Sequence, residues 1–257
     1  MGLLSEKVVF ITGASSGIGK ACAFEFAKEG AALILAARRS EKLRDLEDTL
    51  KNNFGIKVHC IQLDVRQLDK VKEAISKFPN EFKKVDILIN NAGLARGFSK
   101  LYEGDVDHWD EMIDTNVKGL LYVTRFILPG MAERKSGHII NVGSTAGHEA
   151  YANGNVYCAT KFAVKGLSQS IRLDVLDKNI KVSEVDPGMV LTEFSNVRFS
   201  GDEDKVKKVY DGLTPLNPED VASAILFCAT RPGHVNINEI ILTPTAQASS
   251  THVYRIK

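Results

Sequence analysis

Three side chains in one stretch of the chain have the residue types and spacing for acid/base chemistry on a hydroxyl or carbonyl group. Ser144 supplies a hydroxyl, Tyr157 supplies a phenol thirteen residues later, and Lys161 supplies an ammonium group after four more. A free tyrosine has a pKa of about 10, which is too high for efficient proton transfer at neutral pH. Because a nearby cation favours the phenolate, we expect Lys161 to lower the pKa of Tyr157. These residues suit alcohol oxidation or carbonyl reduction, with a nicotinamide cofactor exchanging the hydride.

Two predicted elements position these side chains. Residues 138–142 form a short apolar run typical of a buried strand, so Ser144 would lie at the strand's carboxyl end, where open parallel sheets bind ligands. Residues 153–170 are predicted to form a helix, and Tyr157 and Lys161 share one face of it because they are four residues apart. Such a pair is common on amphipathic helices and usually has no function, so its meaning depends on the rest of the chain.

A glycine-rich turn follows the first predicted strand, residues 7–12, and precedes a predicted helix that ends near residue 29. A strand, a glycine turn and a helix N-terminus together form an anion site that fits a pyrophosphate. The glycines allow a close backbone approach, although their spacing, G-x-x-x-G-x-G, differs from the usual G-x-G-x-x-G. The candidate cofactor contacts in this turn are Gly13, Ser15, Ser16, Gly17, Ile18 and Gly19.

Two arginines follow the second predicted strand, residues 32–36, where an NAD-dependent protein would be expected to carry an acidic residue. Arg38 and Arg39 suit a 2′-phosphate, both by charge and by bidentate hydrogen bonding. The nearest carboxylate is Glu41. The sequence therefore predicts NADP(H) as the cofactor. The alternative is that one or both arginines are merely exposed at the start of a helix.

Further candidate cofactor contacts follow three other predicted strands, at residues 58–63, 85–89 and 180–185. They are Asp64, Val65, Asn91, Ala92, Gly93, Pro187, Gly188, Val190 and Thr192. Asp64 could bind the adenine amino group or cap the helix predicted at 67–78, and both can be true.

The small residues at 90–93 would let the backbone approach a cofactor ribose, although the asparagines could instead stabilise the turn. Thr192 could hydrogen-bond a carboxamide or a phosphate. Tyr157 and Lys161 are further candidates for cofactor contacts.

A long helix is predicted at 108–134, and Asn116 lies within it. Asparagine has a poor helix propensity and competes for backbone hydrogen bonds, so Asn116 could mark a local kink that reaches toward the tyrosine and lysine pair. The alternative is an ordinary buried asparagine with satisfied hydrogen bonds, and the residues alone favour it. Pro129 and Gly130 lie near the end of this helix and fit its termination.

Seven predicted strands alternate with six predicted helices, the last helix at 218–230 and the last strand at 239–243. This alternation indicates a single-domain, Rossmann-like α/β fold, with a doubly wound sheet of seven mostly parallel strands and helices on both faces. One domain would span residues 1–257, with a substrate lid at about 192–213 and a polar tail at about 246–257 that would pack on a neighbouring subunit. Almost every candidate residue follows directly after a strand, and this common edge is the strongest argument for a binding site.

The composition excludes several classes of partner. A net charge of +1 gives no reason to expect nucleic acid or membrane binding, and no apolar run approaches the roughly 20 residues of a membrane span. The N-terminus is too short for a signal peptide, so we expect a cytoplasmic protein. The four cysteines lack a C-x-x-C spacing and are predicted to be buried thiols. The six histidines show no metal-ligand spacing, so no catalytic metal is expected.

Several motifs together resemble the short-chain dehydrogenase/reductase family across nearly the whole chain. They are Thr12-Gly-Ala-Ser-Ser-Gly-Ile-Gly19, Asn90-Asn-Ala-Gly93, Asn116, Ser144, Tyr157-x-x-x-Lys161 and Pro187-Gly188. The resemblance implies a catalytic tetrad of Asn116, Ser144, Tyr157 and Lys161. It further implies that Tyr157 is the acid/base, that Lys161 binds the nicotinamide ribose, and that Asn116 anchors a water for proton relay.

A narrower resemblance concerns the substrate. Residues 34–39, 143–147, 154–157 and 192–199, with the tail motif His252-Val-Tyr-Arg255, are similar to the NADP-dependent 3-hydroxy acid dehydrogenases, also described as serine or L-allo-threonine dehydrogenases. This resemblance implies oxidation of the 3-hydroxyl of short 3-hydroxy acids such as L-serine, L-allo-threonine, 3-hydroxypropionate or 3-hydroxyisobutyrate, or reduction of the matching 3-oxo acids or semialdehydes. It also implies a homotetramer.

A substrate of this kind needs a cation that binds its carboxylate, beside Ser144 at its hydroxyl. Arg198, in the predicted lid, is the candidate because its fork geometry suits a carboxylate. A surface or intersubunit salt bridge is the alternative for this residue. Two other functions compete with the main hypothesis: a carbonyl reductase of neutral or bulkier ketones and aldehydes, which would not require the cation, and a non-catalytic NADP(H)-binding sensor or interaction module, which would not require the tetrad.

Overall fold

The computed structural model describes residues 2–256 and contains one seven-stranded sheet. Its strands are β1 (Val8–Thr12), β2 (Ala32–Ala37), β3 (Val58–Gln62), β4 (Ile87–Asn90), β5 (Gly137–Val142), β6 (Ile180–Pro187) and β7 (Glu239–Leu242). Their order in the sheet is β3-β2-β1-β4-β5-β6-β7, and every neighbouring pair is parallel. The strand order reverses between β1 and β4, so the carboxyl ends of these strands open onto a crevice of the kind that binds ligands.

Helices cover both faces of this sheet. They are α1 (Gly17–Lys28), α2 (Ser40–Phe54), α3 (Leu68–Ser76), α4 (Val106–Ile113), α5 (Leu120–Arg134), α6 (Asn155–Asp174), α7 (Phe194–Arg198), α8 (Glu203–Tyr210) and α9 (Pro218–Ala229). Successive side chains of a strand point to opposite faces. Val9 and Ile11 therefore pack in a core with α1, α2 and α9, whereas Phe10 packs in a second core with α3, α5 and α6. The predicted doubly wound α/β fold is confirmed.

The helix predicted at 108–134 is divided by a π-helical turn, Asp114–Gly119, which lies between α4 and α5. The local irregularity that Asn116 could mark, one of the two interpretations of this residue, is therefore present. Gly119 permits a close approach at this turn, because a Cβ atom there would lie 2.6 Å from Cγ2 of Val65. Turns of this kind are frequent at functional sites.

The C-terminal bound predicted for this helix is confirmed, because α5 ends at Arg134, with Pro129 and Gly130 inside it and near its end. A proline removes one backbone donor from the helix. Ile127 and Met131, on either side of Pro129, are buried in the core, and this packing outweighs the lost hydrogen bond.

The predicted lid, residues 192–213, contains the short helices α7 and α8. The tail folds back beside it, where the amide of Ile256 donates to the Gly212 carbonyl at 2.9 Å. Lys257, the last residue of the predicted tail, lies outside the described residues. Within residues 2–256, no helix is both long and apolar enough to cross a membrane.

The four cysteines are free thiols. Cys22, Cys158 and Cys228 are buried as predicted, whereas Cys60 on β3 is only half-buried. Burial raises the pKa of Cys22 far above its ordinary value, so this side chain behaves as a small apolar residue of the core.

Candidate active site

A cavity of about 340 Å³ opens at the carboxyl edge of the sheet. The predicted cofactor residues that line it are Gly13, Ser15, Ser16, Gly17, Ile18, Arg38, Arg39, Asp64, Val65, Asn91, Ala92, Gly93, Tyr157, Lys161, Pro187, Gly188, Val190 and Thr192. Ser144 lines it as well. Three predicted site residues, Gly19, Asn116 and Arg198, lie outside this lining.

The glycine turn has the backbone that its sequence predicts. Gly13 and Gly17 adopt positive φ angles of 67° and 52°, which favour glycine over residues with a side chain. Gly19 does not line the cavity, but a Cβ atom there would lie 2.4 Å from the Gly13 carbonyl oxygen. Gly19 is thus needed for close packing of α1 against the turn. Asn91 supports the turn by donating from Nδ2 to the Thr12 carbonyl at 2.9 Å.

The two arginines after β2 lie at one end of the cavity and have different partners. Arg39 donates to the serine hydroxyls of the glycine turn and, from Nη1, to Oε2 of Glu193 at 2.7 Å. Arg38 is half exposed, and its Nη1 lies 3.5 Å from Oε1 of Glu111. Two cations and a glycine turn at one end of a cavity fit the 2′-phosphate and pyrophosphate of NADP(H).

Candidate catalytic side chains meet at the other end of the cavity. Tyr157 and Lys161 lie one turn apart on α6, and Nζ of Lys161 is 5.9 Å from the centre of the Tyr157 ring. This Nζ donates to the Val142 carbonyl at the end of β5, at 2.9 Å. Ser144 follows the same strand, and its Oγ accepts a hydrogen bond from the Ala146 amide at 3.1 Å. The strand end and the helix thus hold hydroxyl, phenol and ammonium groups on one wall.

Asn116 lies in the π-helical turn beside this wall. Its Oδ1 accepts from the Leu94 amide at 2.8 Å, and its Nδ2 donates to the Leu94 carbonyl at 2.8 Å and to Oγ1 of Thr160 at 3.0 Å. A Cβ atom at Gly93 would lie 3.3 Å from Oδ1 of Asn116 and 3.8 Å from Nζ of Lys161. Asn116 is thus a buried side chain with satisfied hydrogen bonds, the alternative that the residues alone favour, and it also lies near Lys161.

Burial dominates the ionisation of the tyrosine and the lysine. Burial lowers the pKa of Lys161 to about 8, against the opposing effect of two carboxyl groups of β6. Burial raises the pKa of Tyr157, helped by Tyr151, while Ser144 and Arg198 act to lower it. The pKa of Tyr157 is raised, whereas the sequence predicted that it would be lowered. The cost of removing a phenolate from water outweighs the groups around it that favour the phenolate.

The structure distinguishes two interpretations of Asp64. The helix that follows begins after Gln67 and has no side-chain cap, so Asp64 does not cap it. Its carboxylate instead accepts hydrogen bonds from Arg66, at 2.9 Å from Nε and 2.6 Å from Nη2. An adenine contact by Asp64 stays a prediction. Thr192 uses its Oγ1 to accept from the Phe194 amide at 3.2 Å, at the start of the lid.

Arg198 ends α7 among aromatic rings. Its Cζ lies 4.8 Å from the ring centre of Phe98, 5.5 Å from that of Tyr151 and 5.7 Å from that of Tyr157. Its Nη1 donates to the Tyr151 hydroxyl at 2.9 Å, and its Nε donates to the Gly97 carbonyl at 3.2 Å. Within the described residues Arg198 therefore bonds to a hydroxyl and a carbonyl rather than to a carboxylate.

Sequence reasoning missed Glu193, Phe194 and Thr115, which also line the cavity. The ring centre of Phe194 lies 5.5 Å from that of Tyr157, so it covers the catalytic end. Glu193 and Phe194 directly follow Thr192, a predicted contact, and that adjacency was an available signal. Thr115 carried no signal, because its place in the lining depends on the π-helical turn.

The fold brings together three potential metal ligands that are far apart in the sequence: His148, Asp186 and Glu239. Nε2 of His148 lies 2.9 Å from Oδ2 of Asp186. Nζ of Lys165 lies 2.8 Å from Nδ1 of His148 and 3.3 Å from Oε1 of Glu239. An ammonium group therefore supplies positive charge to this cluster.

The short chain dehydrogenase family matches residues 7–203 of the chain. The chain is 46% identical over 242 residues to an NADP-dependent 3-hydroxy acid dehydrogenase of Shigella flexneri, covering 94% of this chain and 96% of the relative. It is 44% identical over 256 residues to the NADP-dependent 3-hydroxy acid dehydrogenase of Schizosaccharomyces pombe, covering 99% of both chains. This chain belongs to the short-chain dehydrogenase/reductase family, and the predicted enzyme class is confirmed.

A solved structure described as the closed form of serine dehydrogenase complexed with NADP⁺ has the same fold. Its TM-score is 0.90 and its sequence identity 43%, and the alignment covers 97% of this chain and 100% of that one. The relatives that are similar over nearly the whole chain are described as NADP-dependent, in agreement with the cofactor predicted from the two arginines after β2.

Proposed function

We propose that this enzyme uses NADP(H) to oxidise the 3-hydroxyl of short 3-hydroxy acids, or to reduce the corresponding 3-oxo acids and semialdehydes. The observation that carries the proposal is a guanidinium group, that of Arg198, whose Cζ lies 5.7 Å from the ring centre of Tyr157. Tyr157 offers acid/base chemistry, and Arg198 beside it offers a positive charge that matches a carboxylate. L-serine, L-allo-threonine, 3-hydroxypropionate and 3-hydroxyisobutyrate are the candidate substrates, and the descriptions of the relatives support this class.

NADP(H) is the cofactor, held at the glycine turn and at Arg38 and Arg39. Its nicotinamide, when bound, accepts or gives the hydride. The chain's own groups fit the rest of the molecule: positive φ glycines for the pyrophosphate and two cations for the 2′-phosphate.

The proton of the reacting hydroxyl goes to Tyr157. Because burial raises the pKa of this phenol, its anion needs stabilisation from neighbouring groups. Ser144 supplies a hydroxyl that hydrogen-bonds the substrate oxygen, and Lys161 supplies positive charge near the phenol. Asn116 holds the backbone at Leu94 through two hydrogen bonds, and Leu94 lines the cavity.

The carboxylate of the substrate binds Arg198 in this proposal. An arginine has five N–H donors, and two of those on Arg198 are engaged by the Tyr151 hydroxyl and the Gly97 carbonyl. The remaining donors suit a bidentate carboxylate. Because Arg198 lies outside the lining of the main cavity, we expect a shift of the lid, residues 192–213, to bring the guanidinium to the substrate.

The test is NADPH formation at 340 nm with the four acids and a neutral alcohol, each with NADP⁺ and with NAD⁺. We expect turnover of the acids with NADP⁺, and a loss of about 10³-fold or more in kcat for Tyr157→Phe. Turnover of the neutral alcohol alone would contradict the carboxylate site and favour a carbonyl reductase of neutral substrates.

Arg198→Met and Arg198→Lys separate charge from fork geometry in the same panel. We expect Met to raise KM for L-serine by about 10- to 100-fold, the range of a charge-assisted hydrogen bond, and Lys to recover part of that loss. The KM of the neutral alcohol should stay within about twofold. An unchanged KM for L-serine in Arg198→Met would show that the arginine does not bind the carboxylate. The homotetramer and the cytoplasmic location stay predictions.

A further inference from the structure

A carboxylate of the lid occupies the cationic site at the phosphate end of the cavity. Oε2 of Glu193 lies 2.7 Å from Nη1 of Arg39, and its Oε1 lies 2.7 Å from Nζ of Lys42. Arg39 precedes α2 and Lys42 lies in its first turn, whereas Glu193 directly precedes α7. These two ion pairs therefore connect the lid to the rim of the cofactor site.

Few of the Arg39 donors remain for a further anion in this arrangement. Nη2 donates to Oγ of Ser15 at 3.1 Å and to Oγ of Ser16 at 2.8 Å, and Nε lies 3.3 Å from Oγ of Ser15. Nη1 donates to Glu193. Four of the five guanidinium hydrogens are thus engaged, and a phosphate that binds Arg39 bidentately must replace an existing acceptor.

The lid touches the glycine turn next to these ion pairs. A Cβ atom at Gly17 would lie 3.2 Å from Cγ2 of Thr192, the residue before Glu193. Arg39, Glu193 and Gly17 all line the same cavity. The ion pairs therefore span two walls of the site that holds the phosphates of the cofactor.

The charges of the two anions, the Glu193 carboxylate and a phosphate monoester, determine which of them binds Arg39 more strongly. The neighbouring cations lower the pKa of Glu193 to about 2, so its carboxylate is ionised at neutral pH. The side chains of Arg39 and Glu193 are 38% and 42% exposed, which places this ion pair among the weak, partly solvated ones. A phosphate monoester carries up to two negative charges and three acceptor oxygens, and it binds arginine more strongly than a single carboxylate does.

We propose that Glu193 is a built-in competitor of the cofactor's 2′-phosphate: its carboxylate holds Arg39 and Lys42, and the phosphate takes Arg39 by displacing it. A phosphate that displaces Glu193 from both Arg39 and Lys42 frees this residue of the lid, so binding of the 2′-phosphate releases the lid from α2 at this point. A cofactor without this phosphate leaves the ion pairs intact. The inference concerns the cofactor site and does not depend on which hydroxy acid is the substrate.

The test is binding of two cofactor fragments by the full chain, measured by calorimetry without turnover. Adenosine 2′,5′-bisphosphate carries the 2′-phosphate, and 5′-AMP lacks it. In Glu193→Gln we expect the bisphosphate to bind about 3- to 10-fold more tightly, the range of a partly exposed ion pair, and 5′-AMP to change less than about twofold. Glu203→Gln is the matched control, because it removes an equal charge from an exposed position on the same lid.

Three results would overturn the proposal. Weaker binding of the bisphosphate to Glu193→Gln would mean that Glu193 positions Arg39 for the phosphate. Equal tightening of both fragments, or equal effects of Glu193→Gln and Glu203→Gln, would indicate a general change of charge or of access. No change would mean that the ion pair does not compete.

Hydrogen–deuterium exchange of residues 194–201 gives a second readout. In the wild type the bisphosphate should raise exchange in this segment and 5′-AMP should not. Glu193→Gln should show the raised exchange without any fragment. Protection of the segment by the bisphosphate would contradict release of the lid. Both measurements are independent of substrate turnover, so a failure of the substrate proposal and a failure of this one can be told apart.

Discussion

The two ends of the cavity hold positively charged side chains in opposite environments. Lys161, at the catalytic end, is 7% exposed and donates to one backbone carbonyl. Arg39, at the phosphate end, has a side chain that is 38% exposed and shares a carboxylate with Lys42. Burial lowers the pKa of Lys161 to about 8, whereas neighbouring cations lower the pKa of Glu193 to about 2. Desolvation therefore governs ionisation at the first end, and partner charges govern it at the second.

The difference in burial between the two ends of the cavity fits the role proposed for each end. A buried lysine whose pKa is close to neutrality responds strongly to a change of charge on its neighbours, which suits a site where a proton moves. A half-exposed ion pair is weak and exchanges partners readily, which suits a site that must accept and release a phosphate.

The largest expected effect of a substitution is at the catalytic end of the cavity. Lys161→Ala should lower kcat about 10³-fold with the acid that the substrate panel identifies, because the Lys161 ammonium lies one helical turn from Tyr157 on α6 and 5.9 Å from the centre of its ring. Lys165→Ala, one turn further along α6, is the matched control, because Lys165 pairs with His148 and Glu239. Its loss should stay within about tenfold. Comparable losses in both variants would show that position on the helix, rather than proximity to Tyr157, decides the effect.

The dominance of burial can be tested at His138 on β5, which is 3% exposed. Burial, with a contribution from Lys181, lowers the pKa of His138 from 6.5 to about 3. As the pH falls below about 6.5, the unfolded chain binds this proton first, so stability present above that pH is progressively lost down to about pH 3. At about 1.36 kcal/mol per pH unit, the loss between pH 6.5 and pH 4 is about 3 kcal/mol from this group.

The check is urea unfolding at pH 7 and pH 4 of the wild type and of His138→Gln. Glutamine keeps a polar group near Oγ of Ser183, which lies 2.8 Å from Nε2 of His138, but does not titrate in this range. The variant should lose about 3 kcal/mol less of its free energy of unfolding than the wild type between the two pH values. Parallel losses would indicate that burial does not control this histidine.

The smallest of the three expected effects is at the phosphate end of the cavity. Arg39→Ala should raise the Kd of NADPH by about 10- to 100-fold and that of NADH by less than about threefold, because only NADPH brings the 2′-phosphate. Arg44→Ala, an exposed arginine on α2, is the control and should change neither Kd by more than about twofold. An equal rise in the Kd of NADPH and NADH in Arg39→Ala would mean that the arginine supports the glycine turn instead of binding the 2′-phosphate.

Much of the cofactor end could be predicted because its signals are local. The glycine turn, the arginines after β2 and the asparagine turn after β4 each follow a short apolar run, and the parallel sheet brings those strand ends to one edge. Lys161 and Tyr157 could be paired for the same reason, since a spacing of four residues on a helix is a local geometry.

Other features depend on packing between distant segments. Glu193 is 154 residues from Arg39, and the sequence around either residue does not predict their ion pair. Asn116 lies in a helical pattern, and only the observed π-helical turn shows how it reaches Leu94 and Thr160. Pro129 lies inside α5, where buried neighbours on both sides hold it in the helix.

The sequence by itself determined the sheet, the glycine turn, the family and the set of groups that could do chemistry, because apolar periodicity and turn residues act over a few neighbouring positions. The tertiary structure alone decided which of those groups are charged and what they touch. Burial raised the pKa of Tyr157 against the sequence prediction, and chain folding placed a lid carboxylate on Arg39. Desolvation and long-range ion pairing depend on what surrounds a side chain in space, and that information is spread over the whole chain.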